Sequence, residues 1–156
     1  MRFKVSSLYT MSASVLRRSA RIASMNPPPH ADQSVRAVTQ EMNTITADAF
    51  KMVHLLRDII KERGEPDELT AEALVWITQV SWAIEDCHEF KTRQLAENCD
   101  DSVLRSIPPF VGLLRTLISE INALIELFRP YPLISRSLIL STINFIASIK
   151  SSFYEI

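Results

Sequence analysis

Glu85 and His88 are the residues whose types and spacing come closest to a reactive site. A Glu-x-x-His pair places a carboxylate and an imidazole on one face of a helix, which is the ligand arrangement of a di-iron centre in a helical bundle. Such a centre requires a second pair and two further glutamates, and this sequence contains one pair only. We therefore expect no bound metal, and we interpret Glu85 and His88 as polar residues on an exposed helix face.

The other nucleophiles and ligands form no catalytic pattern. The two cysteines, His54 and His88 fall into no zinc-binding spacing, and Cys87 lies on an apolar helix stripe as a small hydrophobic residue. No Gly-x-Ser-x-Gly motif is present, and the only two glycines, Gly64 and Gly112, leave no loop that would cradle a phosphate. The sequence predicts a protein that is not an enzyme and carries no cofactor.

Charge is divided unevenly along the chain. The formal net charge is −1, yet all 18 acidic residues lie from Asp32 onward, whereas five of the 17 basic residues precede it. We therefore predict a disordered basic tail over residues 1–33 and an acidic body after it. The candidates for contact with nucleic-acid phosphates are Arg17, Arg18 and Arg21, and a tail with no fixed partner explains them equally well.

The tail permits a second interpretation. It is rich in Ser and Arg and free of acids before Asp32, which is typical of a mitochondrial presequence. No uncharged apolar run reaches the roughly 18 residues needed to cross a bilayer, and the nearest is Ser137–Ile149. Two cysteines without a secretory signal pattern favour a reducing, intracellular compartment.

A long helix is predicted over Asp67–Asn98, which contains no Gly or Pro between the Gly64–Pro66 turn and the next loop. A shorter apolar-periodic segment, Thr46–Arg63, precedes it within a helical stretch that begins at Ser34. One stripe of the long helix is apolar, and it is the predicted partner interface: Ala73, Ile77, Val80, Ile84 and Cys87.

Two prolines shape the prediction for the rest of the chain. Pro108–Pro109 predicts that a short helix over Ser102–Ile107 breaks before a second helix over Phe110–Phe128. A last helix over Leu133–Phe153 is apolar nearly all round, so it must be buried in the bundle, in a partner or against lipid. The predicted organisation is a tail over 1–33, a helical core domain over 34–128 and an apolar C-terminal helix over 129–156.

The order of elements resembles the histone fold, in which short, long and short helices follow one another. Thr70–Leu74 is similar to the entry of that family's central helix, and Ala73–Trp82 resembles the same helix in proteins of the centromere protein S type. Leu104–Val111 is similar to the third helix of the centromere protein X type. The resemblance covers residues 46–114 and implies pairing with another histone-fold chain through the stripe of the long helix. The loop residues Asp100 and Asp101 disfavour DNA contact there.

A weaker likeness is to the N-terminal coiled-coil domain of plant NLR immune receptors. Trp76 together with Ile84–Cys87 and Phe90 resembles the acidic motif of that domain, with a shorter spacing between the Trp and the first Glu. This likeness implies a coiled-coil signalling domain.

We therefore expect an all-α protein, either histone-fold-like with two extra C-terminal helices or a four-to-five-helix bundle. The expected function is a non-enzymatic protein–protein interaction subunit of a nuclear chromatin or transcription complex, paired with another helical chain or with itself. The alternative is a mitochondrial helical-bundle protein whose presequence is cleaved near Ser24. Weak nucleic-acid contact through the tail and membrane contact of the C-terminal helix stay open at this point.

Overall fold

The computed structural model describes residues 33–156, and within this range the chain is an all-helical four-helix bundle. The helices are α1 (Gln33–Arg63), α2 (Glu68–Glu97), α3 (Asp101–Phe128) and α4 (Arg136–Phe153). This confirms the all-α prediction in its bundle form, while the nearly equal α1, α2 and α3 differ from a short–long–short order. The predicted tail contacts of Arg17, Arg18 and Arg21 lie outside the described residues.

The turn between α1 and α2 follows from local chemistry. The Gly64 N–H donates to the Ile60 carbonyl over 2.7 Å, and a Cβ at Gly64 would lie only 2.6 Å from that oxygen. Asp67 caps α2 by accepting a hydrogen bond from the Thr70 amide at 2.9 Å. This bond, with Arg136 beside the carboxylate, lowers the pKa of Asp67. The predicted start and end of the long helix are thus confirmed, with Asp67 and Asn98 as its caps.

The predicted break at Pro108–Pro109 is wrong, because α3 runs through both prolines as one helix. Each proline removes a hydrogen bond to the carbonyl four residues earlier. Both prolines are exposed, so the carbonyls of Leu104 and Arg105 lie on the side of α3 that water reaches. The buried neighbours Ile107 and Phe110 hold the helix against the core on the other side.

The helices form a ring in the order α1, α2, α4, α3. The helix α1 packs closely against α2 and α3, α2 packs closely against α4, and α3 and α4 close the ring. The helices α1 and α4 lie on opposite sides of the bundle and share few contacts. At one end of the bundle, Arg63 donates to the Phe128 carbonyl at 3.2 Å, and the Ile134 amide donates to the Arg63 carbonyl at 3.1 Å.

The helix α4 is amphipathic, although its sequence predicted an apolar surface nearly all round. Its inner face packs on the core through Ile139, Ile143, Ile146, Ile149 and Phe153. Lys150 attaches it to α2, since its Nζ donates to Gln79 Oε1 at 2.7 Å and lies 5.0 Å from the Trp76 ring centroid. None of the helices in residues 33–156 has the length and apolar character to cross a membrane.

Candidate functional site

The predicted partner stripe faces the interior of this chain. Ala73, Ile77, Val80 and Ile84 are all buried among the chain's own helices, and Cys87 is half-buried at the edge of the stripe. Burial raises the pKa of the Cys87 thiol. The reason for the difference is that α1 and α4 pack on α2 and cover its apolar side. The stripe therefore forms core, and its buried residues are not available to a partner in this fold.

Glu85 and His88 are also buried, which corrects their interpretation as residues of an exposed face. Neither side chain is accessible to solvent. His88 Nε2 lies 2.7 Å from Asn43 Oδ1 on α1, and this contact joins the two helices deep in the bundle. With the Asn43 oxygen as acceptor, Nε2 carries the proton and Nδ1 is the lone-pair nitrogen of a neutral imidazole.

The contact between Asn43 and His88 fixes the register of the antiparallel pair α1–α2. In this register Thr46 lies at the level of Glu85, and Thr39 lies at the level of Thr92. Thr39 and Thr46 are buried, and each donates its hydroxyl to the carbonyl four residues earlier in α1. We call these residues the polar seam: Thr39, Asn43, Thr46, Glu85, His88 and Thr92.

The polar seam keeps its imidazole neutral. Burial lowers the pKa of His88 from its ordinary value of 6.5 to about 4, because no water solvates the charged form. Within residues 33–156, His88 Nδ1 has no hydrogen-bond partner, so protonation would place an unsatisfied N–H in the core. Nearby, Lys91 is buried and its Nζ lies 6.0 Å from the centroid of the Phe110 ring.

The polar seam does not have the geometry of a metal centre. In the part of the chain that the structure describes, no three His, Cys, Asp or Glu side chains come close enough to hold an ion. The groups that accompany Glu85 and His88 in the seam are an amide and hydroxyls, and buried polar groups of this kind fix helix register. We interpret the seam as the element that sets the pairing of α1 and α2.

A second group of residues is exposed although it is apolar. Leu127, Tyr131, Leu133 and Leu140 lie on the α3–α4 connection and the adjoining turns, and each side chain is at least 50% exposed. We call these four residues the corner surface. They make up half of the large apolar side chains that are exposed in residues 33–156. Single exposed apolar residues are ordinary, whereas these four fall within the stretch from Leu127 to Leu140.

Comparisons with protein-family models, curated proteins and solved structures find no match to this chain. The assignment of a function therefore depends on the residues themselves.

Sequence reasoning missed both of these features for different reasons. The polar seam contains residue types that a sequence pattern assigns to a solvent face, and only the partner Asn43 on another helix identifies their side as the interior. Three residues of the corner surface fall within the short run Leu127–Leu133, where apolar side chains alternate with prolines. Pro130 and Pro132 in that run predict a stop between helices, and this pattern says nothing about exposure.

Proposed function

We propose that this chain is a non-enzymatic helical-bundle protein that acts by binding protein through the corner surface. The observation that supports this proposal is the exposure of Leu127, Tyr131, Leu133 and Leu140 at one end of the bundle. Burying each of these side chains in a partner would contribute roughly 1–2 kcal/mol, since each is already about half covered. The expected nuclear or mitochondrial location, and the likeness to histone-fold chains, stay predictions.

The experiment is co-purification of the tagged full chain with and without the double variant Leu133→Ser, Leu140→Ser. We expect the variant to fold, because both side chains project into solvent, and to lose the proteins bound by the native chain. Leu55→Ser is the matched control, since Leu55 is 45% exposed but lies alone on α1. Partners that bind the double variant and the native chain equally would contradict the proposal.

The mature N-terminus separates the two predicted compartments. Mass spectrometry of the endogenous protein would show residues up to about Ser24 removed if the mitochondrial alternative holds, and retained if the nuclear one does. The result of this measurement neither supports nor contradicts the proposed binding surface.

A further inference from the structure

The exposed side of α4 carries no charge along most of its length. The side chains on it are neutral, and no charged residue occurs between Arg136 and Lys150. We call this side the outer face of α4, and its residues are Ser137, Leu140, Ser141, Asn144, Ser148 and Ser151. By contrast, the exposed faces of α1 and α3 carry Lys51, Asp58 and Glu120. Depletion of charge is typical of the buried centre of a protein–protein interface.

We propose that a second copy of this chain covers the outer face of α4, with the two α4 helices antiparallel about a two-fold axis at Asn144. The inference rests on the proposed function, because it names the partner of the corner surface, to which Leu140 belongs. A two-fold contact places only the residue on the axis against its own counterpart, so a charge there would repel the same charge on the second copy. The outer face of α4 meets this requirement.

The middle of the arrangement is self-complementary. Asn144 faces Asn144 of the second copy, and a carboxamide both donates and accepts hydrogen bonds, so the pair satisfies itself. One helical turn away, Leu140 faces Ser148 of the second copy, and this small side chain leaves room for the leucine. The same contact occurs twice, once on each side of the axis.

The ends of α4 complement each other as well. The antiparallel arrangement brings Arg136 to the end of the second helix, near Ser152 and Glu155. Arg136 bonds Asp67 within its own chain, and its side chain is 68% exposed, which leaves guanidinium N–H groups for a second carboxylate. Each end of the contact therefore holds one pairing of opposite charge.

Large exposed apolar residues lie next to both ends of α4. Tyr131 and Leu133 of the corner surface precede α4, while Tyr154 and Ile156 follow it and are exposed. An antiparallel pair places the first group of one copy on the second group of the other. This arrangement covers most of the large apolar side chains that residues 33–156 leave exposed, and it omits those on α1 and α2.

The expected strength is moderate. Eighteen residues give α4 a length of about 27 Å. A contact limited to one helix face with two apolar ends falls below the standard interface, in which roughly 800 Å² is covered on each partner. We therefore expect weak self-association, with a weight-average mass that rises toward twice that of the chain as the full chain is concentrated to about 100 µM.

The first test is sedimentation equilibrium of the full chain and of Asn144→Lys. The variant places two like charges at the axis, so we expect its dissociation constant to rise at least about 30-fold while its circular dichroism stays native. Gln40→Lys is the matched control, because Gln40 is an exposed residue on α1, across the bundle from α4. A native chain that stays monomeric at about 100 µM, or an Asn144→Lys variant that dimerises like the control, would overturn the inference.

A second test depends on position alone. In a Cys99→Ser background, Asn144→Cys should form a disulfide-linked dimer under mild oxidation, whereas Gln40→Cys should stay monomeric.

The outcomes separate this inference from the proposed function. If the chain is monomeric while Leu133→Ser, Leu140→Ser still removes a stoichiometric protein partner, self-association fails and the proposed function stands. If the chain is monomeric and binds phosphatidylserine vesicles through the outer face of α4 in a flotation assay, self-association also fails. If the chain is monomeric and no ligand depends on the corner surface, both proposals fail.

Discussion

At the residue scale, the buried histidines make the fold sensitive to acid. Burial lowers the pKa of His88, and likewise of His54, from 6.5 to about 4. For a base whose pKa falls on folding, the neutral form stabilises the native state at pH values above 6.5, and this contribution is lost as the pH falls toward 4. Asp67, whose pKa is also lowered, loses its contribution only below its ordinary value of 3.8.

The prediction is that the free energy of unfolding falls by roughly 3 kcal/mol for His88 alone between pH 6.5 and about pH 4. Urea titrations at a series of pH values measure this slope. His88→Gln should flatten it by about half, because the amide retains a donor to Asn43 and does not titrate. A slope that is unchanged in His88→Gln would show that the imidazole already reaches solvent in the native protein.

The bond between His88 and Asn43 predicts an asymmetry between single and double variants. Asn43→Leu leaves the buried Nε2–H without its acceptor and should lower the free energy of unfolding by about 1–3 kcal/mol. Asn43→Leu combined with His88→Leu removes both polar groups and should recover much of that loss. A double-variant cycle in urea gives the coupling, and simple additivity would show that the contact contributes nothing.

At the element scale, α3 shows what a sequence pattern resolves and what it does not. The apolar residues Ile107, Phe110 and Leu114 keep a helical spacing on both sides of the prolines, and all three are buried. The break was predicted because proline penalties are local, whereas the continuity of α3 depends on packing against α1, which the sequence does not display. The start of α2, by contrast, depends on the Asp67 side chain and the Thr70 amide within one turn, and the predicted bounds Asp67–Asn98 agree with the helix.

The prolines therefore lower the stability of a helix that forms despite them. Pro108→Ala and Pro109→Ala should each raise the free energy of unfolding by about 1–3 kcal/mol, less the entropy that proline removes from the unfolded chain. Gly112→Ala calibrates the effect, since nothing lies within 4 Å of the added Cβ and a gain of roughly 1 kcal/mol is expected. Thermal unfolding of the three variants measures these gains in stability, and a loss of stability in either proline variant would contradict the prediction.

At the scale of the whole molecule, the apolar stripe of α2 lies in the core, whereas the outer face of α4 is exposed to solvent. The sequence identified the stripe residue by residue, but it did not contain the information that α1 and α4 cover it. Four helices of adequate length close a ring around the core, so the stripe needs no second chain. Closure of the ring leaves the outer face of α4 and the corner surface exposed.

The buried and exposed sides of α2 predict opposite phenotypes for the same substitution. Ile84→Asp buries an unpaired carboxylate at a site with no solvent access and should cost more than about 4 kcal/mol, which unfolds the whole bundle and not merely a dimer. Ala71→Asp introduces the same side chain on the exposed first turn of α2, where the helix dipole favours it, and should leave the fold intact. Circular dichroism separates the two within one measurement. A folded but monomeric Ile84→Asp protein would contradict this prediction. It would show that a second chain covers the stripe in the native protein, because a charge at Ile84 is tolerated in the monomer only if that site becomes exposed when the second chain dissociates.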